Sequence, residues 1–282
     1  MITILIRTKN EEKYIEETLR RIFSQRCKDF EVIVVDSGSK DRTLEIVNKF
    51  AIRLLKIPPE KFSYGYALNF GIKNAIGEVI INLSAHAIPA NDKWLENLIK
   101  PLRDWEVAGV YGRQLPNLNC NPIEKRDLLE TYGDERKIQT QEITFSNSNS
   151  AIRKEIWEKF PFDERMSFAE DIYWSKEVLG NGYKIAYEPQ AMVYHSHQHS
   201  LKTIYLRELK RHRGRLQRGD IFKAKNLISL FLEGIKADFL FCIKEKESTK
   251  WLFYIPIYHL VLLLARCKIE MHFFRLDIRA DV

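Results

Sequence analysis

The stretch GEVIINLSAHAIPAND, residues 77–92, ends an apolar run in Ser84-Ala85-His86 just ahead of a proline. A hydroxyl and an imidazole at a strand tip can bind phosphate oxygens or a metal ion, or can simply close a turn. Three other stretches carry comparable chemistry. In VVDSGSKDRT, Asp36 precedes a small Ser-Gly-Ser turn. There a carboxylate can accept from a base N–H or a ribose hydroxyl, or can close an Asx turn. In MSFAEDIYWSKEVLGNGYKI, Ser167 and Glu170 have capping-box spacing, which gives Glu170 a structural reason. Asp171 falls in the first helical turn, where the helix dipole favours an ionised carboxylate that can serve as a general base. VYHSHQHS sets His195, His197 and His199 two residues apart. On an extended strand they share one face, as ligands for a metal or phosphate or as surface histidines.

These residues need elements to hold them. ITILI (2–6), FEVIVVD (30–36), IRLLKI (52–57), EVIINLS (78–84) and VAGVYG (107–112) are short runs rich in β-branched residues, as in strands buried on both faces. Helical patterns fill the gaps at 11–25, 41–50, 66–75 and 92–103, with Asn10 and Asp92 as N-caps. The alternation predicts an α/β fold, a mostly parallel sheet with helices on both faces. Ligands bind such sheets at the carboxyl ends of the strands. That rule selects Arg7, Thr8 and Asn10, then Asp36-Ser37-Gly38-Ser39, Ser84 to His86, and Tyr111-Gly112-Arg113. A polar connection follows from 116 to 141, then a strand-like 143–153, a helix near 172–179 and two short strands near 184–187 and 192–195. Helical spacing continues after His199, with Pro256 as a break.

Composition narrows the classes. With 282 residues, 45% hydrophobic and 29% charged, the chain reads as folded rather than disordered. The four cysteines are scattered without a CxxC pair, which argues against a zinc or disulfide framework and fits a reducing cytoplasmic setting. The start MITILIRTKNEE has no long apolar region and reads as lacking a signal peptide. WLFYIPIYHLVLLLA has 15 residues interrupted by Pro256 and His259, and reads as buried or interfacial rather than spanning. Net charge is +7, and residues 201–218 set seven basic side chains against Glu208 alone. Such a segment can lie on an anionic membrane surface, pack as a bundle or meet a second subunit in a homodimer. A nucleic-acid footprint is disfavoured, since Tyr205 is its sole aromatic.

ILIRTKNEEKYIEETLRRIFSQ, FEVIVVDSGSKDRT, ALNFGIKNAIGEVIINLSAHAIP and FAEDIYWSKEVLGNGYKIAYEP occur in the order and spacing of bacterial family 2 glycosyltransferases, over roughly residues 1–200. This resemblance implies a GT-A fold at 1–200, with a nucleotide-sugar half to about 115 and an acceptor half from 116, followed by a helical extension at 201–282. It implies that Thr8, Asn10 and Glu11 border the nucleotide, that Asp36 recognises base or ribose, and that Asn69 helps hold the nucleotide. Asp171 matches the family's catalytic base, and His195 its metal or diphosphate histidine. The implied reaction is inverting direct displacement assisted by a divalent cation, Mn or Mg. The donor would be a dTDP- or UDP-linked sugar and the acceptor a saccharide or lipid-linked glycan. LSAHAIP and VYGRQLP resemble the rhamnosyltransferase-like subgroup of O-antigen and polysaccharide assembly. One departure stands out: Ser84-Ala85-His86 replaces the family's Asp-x-Asp. His86 is then either a metal ligand or a direct donor to the diphosphate, alongside Ser84, His195 and Arg113. The alternative to an enzyme is a degenerate fold that binds nucleotide sugar without transferring it.

Overall fold

The computed structural model describes residues 1–166, 168–217 and 226–280. Contacts divide the chain into a unit of residues 1–117 and 129–196 and a unit of residues 118–128 and 197–282.

The first unit is built on one nine-stranded sheet. Its strands are β1 (Ile2–Thr8), β2 (Phe30–Asp36), β3 (Arg53–Lys56), β4 (Val79–Ser84), β5 (Ile88–Pro89), β6 (Val107–Leu115), β7 (Lys137–Gln139), β8 (Asn149–Arg153) and β9 (Lys184–Tyr194). The order is β3-β2-β1-β4-β8-β6-β9-β5, with β7 also on β9. The first four are parallel; β8 then runs antiparallel to both β4 and β6, while β6 and β9 are parallel. Ile4 and Ile6 belong to a core shared with the helices Ile15–Phe23 and Trp94–Ile99. Leu5 faces the other way and meets the helix Tyr64–Lys73 at Gly71. The sheet is thus covered on both faces, which explains the unbroken apolar runs of its parallel strands.

Several local expectations change. Asn10 is not an N-cap: the helix begins at Ile15 behind Tyr14, and Asn10 adopts a left-handed φ of 56°. Asp92 does not cap its helix either, which starts at Trp94; its carboxylate pairs with Arg26 at 2.8 Å. The two strands expected near 184–187 and 192–195 are one strand, β9, whose pairing with β6 shifts register between Gly112 and Gln114. Pro89 sits in β5, two residues long and opposite Val193. An edge position tolerates a residue without an N–H.

The second unit is helical: Leu201–Gln217, Leu227–Lys244 and Lys250–Ala280, with the segment 118–128. Ile123, Cys242 and Ile255 form its small apolar core. The expected break at Pro256 is absent, since the last helix runs through it. Proline there removes one N–H from the helix ladder near its start. The helix is therefore longer than the 15-residue run suggested. Lys250–Glu270 is long and apolar enough by length and composition to cross a membrane, with a mean hydropathy of 1.6. Arg218 and the side chains of Arg213 and Arg215 lie outside the described residues.

Candidate functional site

Parallel register aligns the tips of three strands: Thr8 pairs with Asp36, and Arg7 with Ser84. The loops that leave these tips are stitched together. The Asn10 N–H donates to Ser39 Oγ at 2.9 Å, and Asn10 Oδ1 accepts from the Lys40 N–H at 2.7 Å. The Glu11 N–H donates to Thr43 Oγ1 at 2.7 Å. Asp36 is buried, and its carboxylate accepts from the Gly38 and Ser39 N–H groups at 2.9 and 3.1 Å and from the Ser39 hydroxyl. Asp36 thus closes the Ser-Gly-Ser turn, as in the Asx alternative. Gly38 has a φ of +92°, so the turn needs glycine. Thr8 Oγ1 at the same edge is buried with no hydrogen-bond partner in the protein, an unmet polar group of the kind a ligand satisfies.

At the β4 tip, Ser84 Oγ lies 3.3 Å from His86 Nδ1, and His86 Nδ1 lies 2.9 Å from Glu11 Oε1. An ionised carboxylate only accepts, so Nδ1 carries the proton. The β5–β9 pairing of Ile88 with Tyr194 then brings in His195, whose ring stacks on His86 with centroids 4.8 Å apart. His195 is buried, and its Nδ1 lies 2.7 Å from Gln114 Oε1. Gln114 spends its amide N–H groups on Tyr132 Oη (2.7 Å) and Ser146 Oγ (3.0 Å), so its oxygen must accept from His195 Nδ1–H. A neutral ring with its proton on Nδ1 would have the tautomer of a metal ligand braced through its other nitrogen, and Ser84 Oγ also lies 3.4 Å from His86 Nε2. The expected three-histidine strand face does not form, because β9 ends at Tyr194. His197 Nδ1 lies 3.1 Å from Glu124 Oε1, both residues of the second unit.

A second group sits across residues 147–148. The Ser84 N–H donates to the Ser148 carbonyl at 3.1 Å. Next door, the Asn147 N–H donates to Asp171 Oδ2 at 3.2 Å, and the Ile172 N–H donates to Asp171 Oδ1 at 2.9 Å. Glu170 is buried and accepts from Arg7 Nη1 at 3.5 Å and from Asn147 Nδ2 at 3.4 Å. The Arg7 guanidinium also lies over the Tyr64 ring, 4.9 Å from its centroid. Asp171 keeps a partly exposed flank while its carboxyl is deeply surrounded. Burial, then the neighbouring Glu170 charge, push its pKa up to about 7, against the pull of two backbone N–H groups and Arg7. The phenol of nearby Tyr132 is raised as well, chiefly by burial.

The helix of Asp171 starts at Glu170 behind Ala169, with φ of 66°. Glu170 is thus the first helical residue, not the third that a capping box requires, and Ser167 lies outside the described residues. Asn69 also departs from expectation. Its amide donates to the Phe162 carbonyl (2.8 Å) and Glu164 (2.9 Å), and its oxygen accepts from Trp157 Nε1 (2.8 Å) and the Phe162 N–H (3.1 Å). With all four bonds spent inside the protein, Asn69 staples the segment leading to Asp171 and has none left for a nucleotide. Arg113 does not join the histidines in any described bond. Its charge acts on Tyr187, offsetting in part the rise that burial imposes on that phenol. Its strand neighbour Gln114, on the opposite face, is the residue that holds His195. Strand alternation was the signal that separates the two. Asn147, which ties Glu170 and Asp171 to Asn82 (3.0 Å), was hidden in a segment that read only as strand-like.

A parallel β3-β2-β1-β4 half, an antiparallel β8 crossing to β6 and carboxylates beside the strand tips define a GT-A glycosyltransferase fold. The glycosyl transferase family 2 profile matches residues 3–160, and the chain belongs to that family. It is 30% identical over 218 residues to the O-antigen chain rhamnosyltransferase RfbN of Salmonella typhimurium, covering 73% of this chain and 69% of the relative. The O-antigen chain rhamnosyltransferase WbaN of Salmonella anatum is 30% identical over 188 residues, with 63% and 60% covered. Among solved structures, mannosyltransferase PcManGT from Pyrobaculum calidifontis, in complex with GDP-Man and Mn2+, superposes with a TM-score of 0.64 at 18% identity. It covers 94% of this chain and 86% of its own. S. aureus TarS 1-349 in complex with UDP-GlcNAc gives 0.60 at 14% identity, covering 97% and 91%.

Proposed function

We propose that this family 2 glycosyltransferase moves a sugar, with inversion, from a nucleoside diphosphate donor to a hydroxyl of a saccharide or lipid-linked acceptor in surface polysaccharide assembly. A deoxyhexose such as rhamnose is the favoured sugar, by similarity to the two O-antigen relatives. The observation that carries the reading is the Asp171 carboxyl, pushed up to about 7 and held by two N–H groups one residue from the contact to the β4 tip. A base with a pKa near the working pH is both ionised and strong enough to accept a proton. The acceptor oxygen bonds to the anomeric carbon as its proton passes to Asp171. The bond from that carbon to the diphosphate oxygen breaks on the opposite face, and the nucleoside diphosphate leaves with the electron pair.

The leaving group gains negative charge, which the site must stabilise. His86 and His195 would hold a divalent cation, with Glu11 and Gln114 orienting the rings; imidazole suits Mn less well than zinc, copper, iron or nickel, although mixed nitrogen and oxygen sites are feasible. The cation supplies Lewis-acid stabilisation of the departing diphosphate. Thr8 and the loops around Asn10 and Glu11 border the nucleotide.

Transfer and donor hydrolysis, measured over dTDP-, UDP- and GDP-sugars with and without EDTA, test the proposal. Activity that is lost on chelation and restored by Mn supports it. Tight nucleotide-sugar binding with no turnover on any acceptor would indicate the degenerate alternative.

A further inference from the structure

The helical unit wears its polarity inside out. Asp238 is 1% exposed and accepts from Arg126 Nε and His259 Nε2, both at 2.6 Å. Glu208 is 3% exposed and accepts from Arg266 Nε at 2.6 Å. On the outside of the helix Lys250–Ala280, Phe253 (78% exposed), Ile257, Leu260 and Leu264 (54%) stand in the open. At about 100° per residue these four fall within an arc of about 60°. Lys250 and Lys268, both exposed, fall on the same side at the two ends of the stripe. On the neighbouring helix Leu227–Lys244, Ile228, Leu232, Leu240 and Ile243 are also exposed, with Lys236 among them. A unit made for water puts its ion pairs outside and its leucines inside. An exposed apolar stripe along a helix marks a docking surface.

Charge selects what docks there. Residues 197–282 carry 17 basic and 9 acidic side chains, an excess of +8, whereas the whole chain carries +7. The remainder of the protein is thus nearly neutral. A second copy brought face to face would set one such excess against another, whereas an anionic bilayer attracts it. The polar groups also decide between spanning and lying. His259 and Arg266 occupy the opposite side of the very helix that carries the stripe, each in an ion pair. A spanning orientation would drag those pairs through hydrocarbon, while a helix lying flat leaves them on the water side and lets the lysines reach the headgroups.

We infer that the face formed by Phe253, Ile257, Leu260 and Leu264 docks flat on an anionic lipid bilayer. This goes beyond the transferase reading and holds whatever sugar is moved. The test is flotation of the full chain with phosphatidylcholine vesicles and with vesicles in which about a third of that lipid is phosphatidylglycerol. The native protein floats with the anionic vesicles and is released by high salt. Phe253→Ser, Ile257→Ser, Leu260→Ser and Leu264→Ser together abolish flotation. Because all four point outward, an unchanged circular dichroism melt shows the fold intact. Lys250→Gln with Lys268→Gln, which leaves the apolar stripe in place, weakens binding about 30-fold, from about 1 kcal/mol per lysine. Failure of the native chain to float, equal flotation with neutral vesicles, or undiminished flotation of the serine variant overturns the inference. So does sedimentation showing a native dimer that the serine variant dissolves, which would give the face to a second copy.

Discussion

Asp171→Asn separates the chemical from the structural consequences of a raised carboxyl. In the folded protein the group titrates near 7, against an ordinary value of 3.8. Between those values the native state holds a proton that the unfolded chain has released. Stability therefore falls as pH rises through this window, by about 1.4 kcal/mol per unit, with a ceiling of about 4 kcal/mol across it. Part of the rise comes from the charge of the neighbouring carboxylate rather than from burial, so about 2–4 kcal/mol is the working range. Asparagine carries no such charge. It does turn an amide NH2 toward the N–H of Asn147 or Ile172, a pH-independent cost of about 1–2 kcal/mol. The variant is thus the less stable protein at pH 4 and the more stable one at pH 8. The measurement is urea unfolding of both proteins at several pH values, in which other titrating groups cancel from the difference. Transfer should fall by about 10²–10⁴-fold. In the native enzyme kcat/KM should rise with pH through an apparent pKa near 7. A stability difference that stays flat from pH 4 to 8 would refute the raised carboxyl, and retained transfer would refute its role as base.

Three further substitutions probe the frame around that carboxyl. Thr8→Val removes a buried hydroxyl that has no protein partner; stability holds or rises by about 1 kcal/mol, whereas the KM for donor rises, and an unchanged KM would place Thr8 outside the nucleotide site. Asn69→Ala strips four hydrogen bonds and leaves buried donors unmet, costing about 3 kcal/mol in urea unfolding with donor affinity little changed. Weaker donor binding without lost stability would return Asn69 to the ligand. Gly112→Ala places a Cβ 2.2 Å from the Ala191 carbonyl oxygen and 2.4 Å from Asn149 Nδ2, prising β6 from β9. The cost is about 3 kcal/mol, and an unshifted melt would show that the two strands yield.

The contrast between Asp36 and His195 shows which parts of this site a sequence can disclose. Strand tips are legible because period, composition and turn residues are local, and the carboxyl-end rule then follows from chain order alone. What a tip residue does there is decided by partners far along the chain. Asp36 ends its strand as the sequence indicates, and three donors from Gly38 and Ser39 bond to its carboxylate. His195 lies 109 positions from His86, and nothing in either segment pairs them. Their meeting depends on β5, a two-residue strand too short to leave a pattern, and on antiparallel register with β9. The same holds for Asn147, whose bonds to Glu170, Asp171 and Asn82 span three elements. Where the family's carboxylates are missing, tertiary register brings two distant imidazoles to the same tip. Glu11 and Gln114 each engage the Nδ1 of one ring. On the proposed reading, the loss of Asp-x-Asp changes the chemistry of the groups offered to a cation without by itself arguing for a dead enzyme.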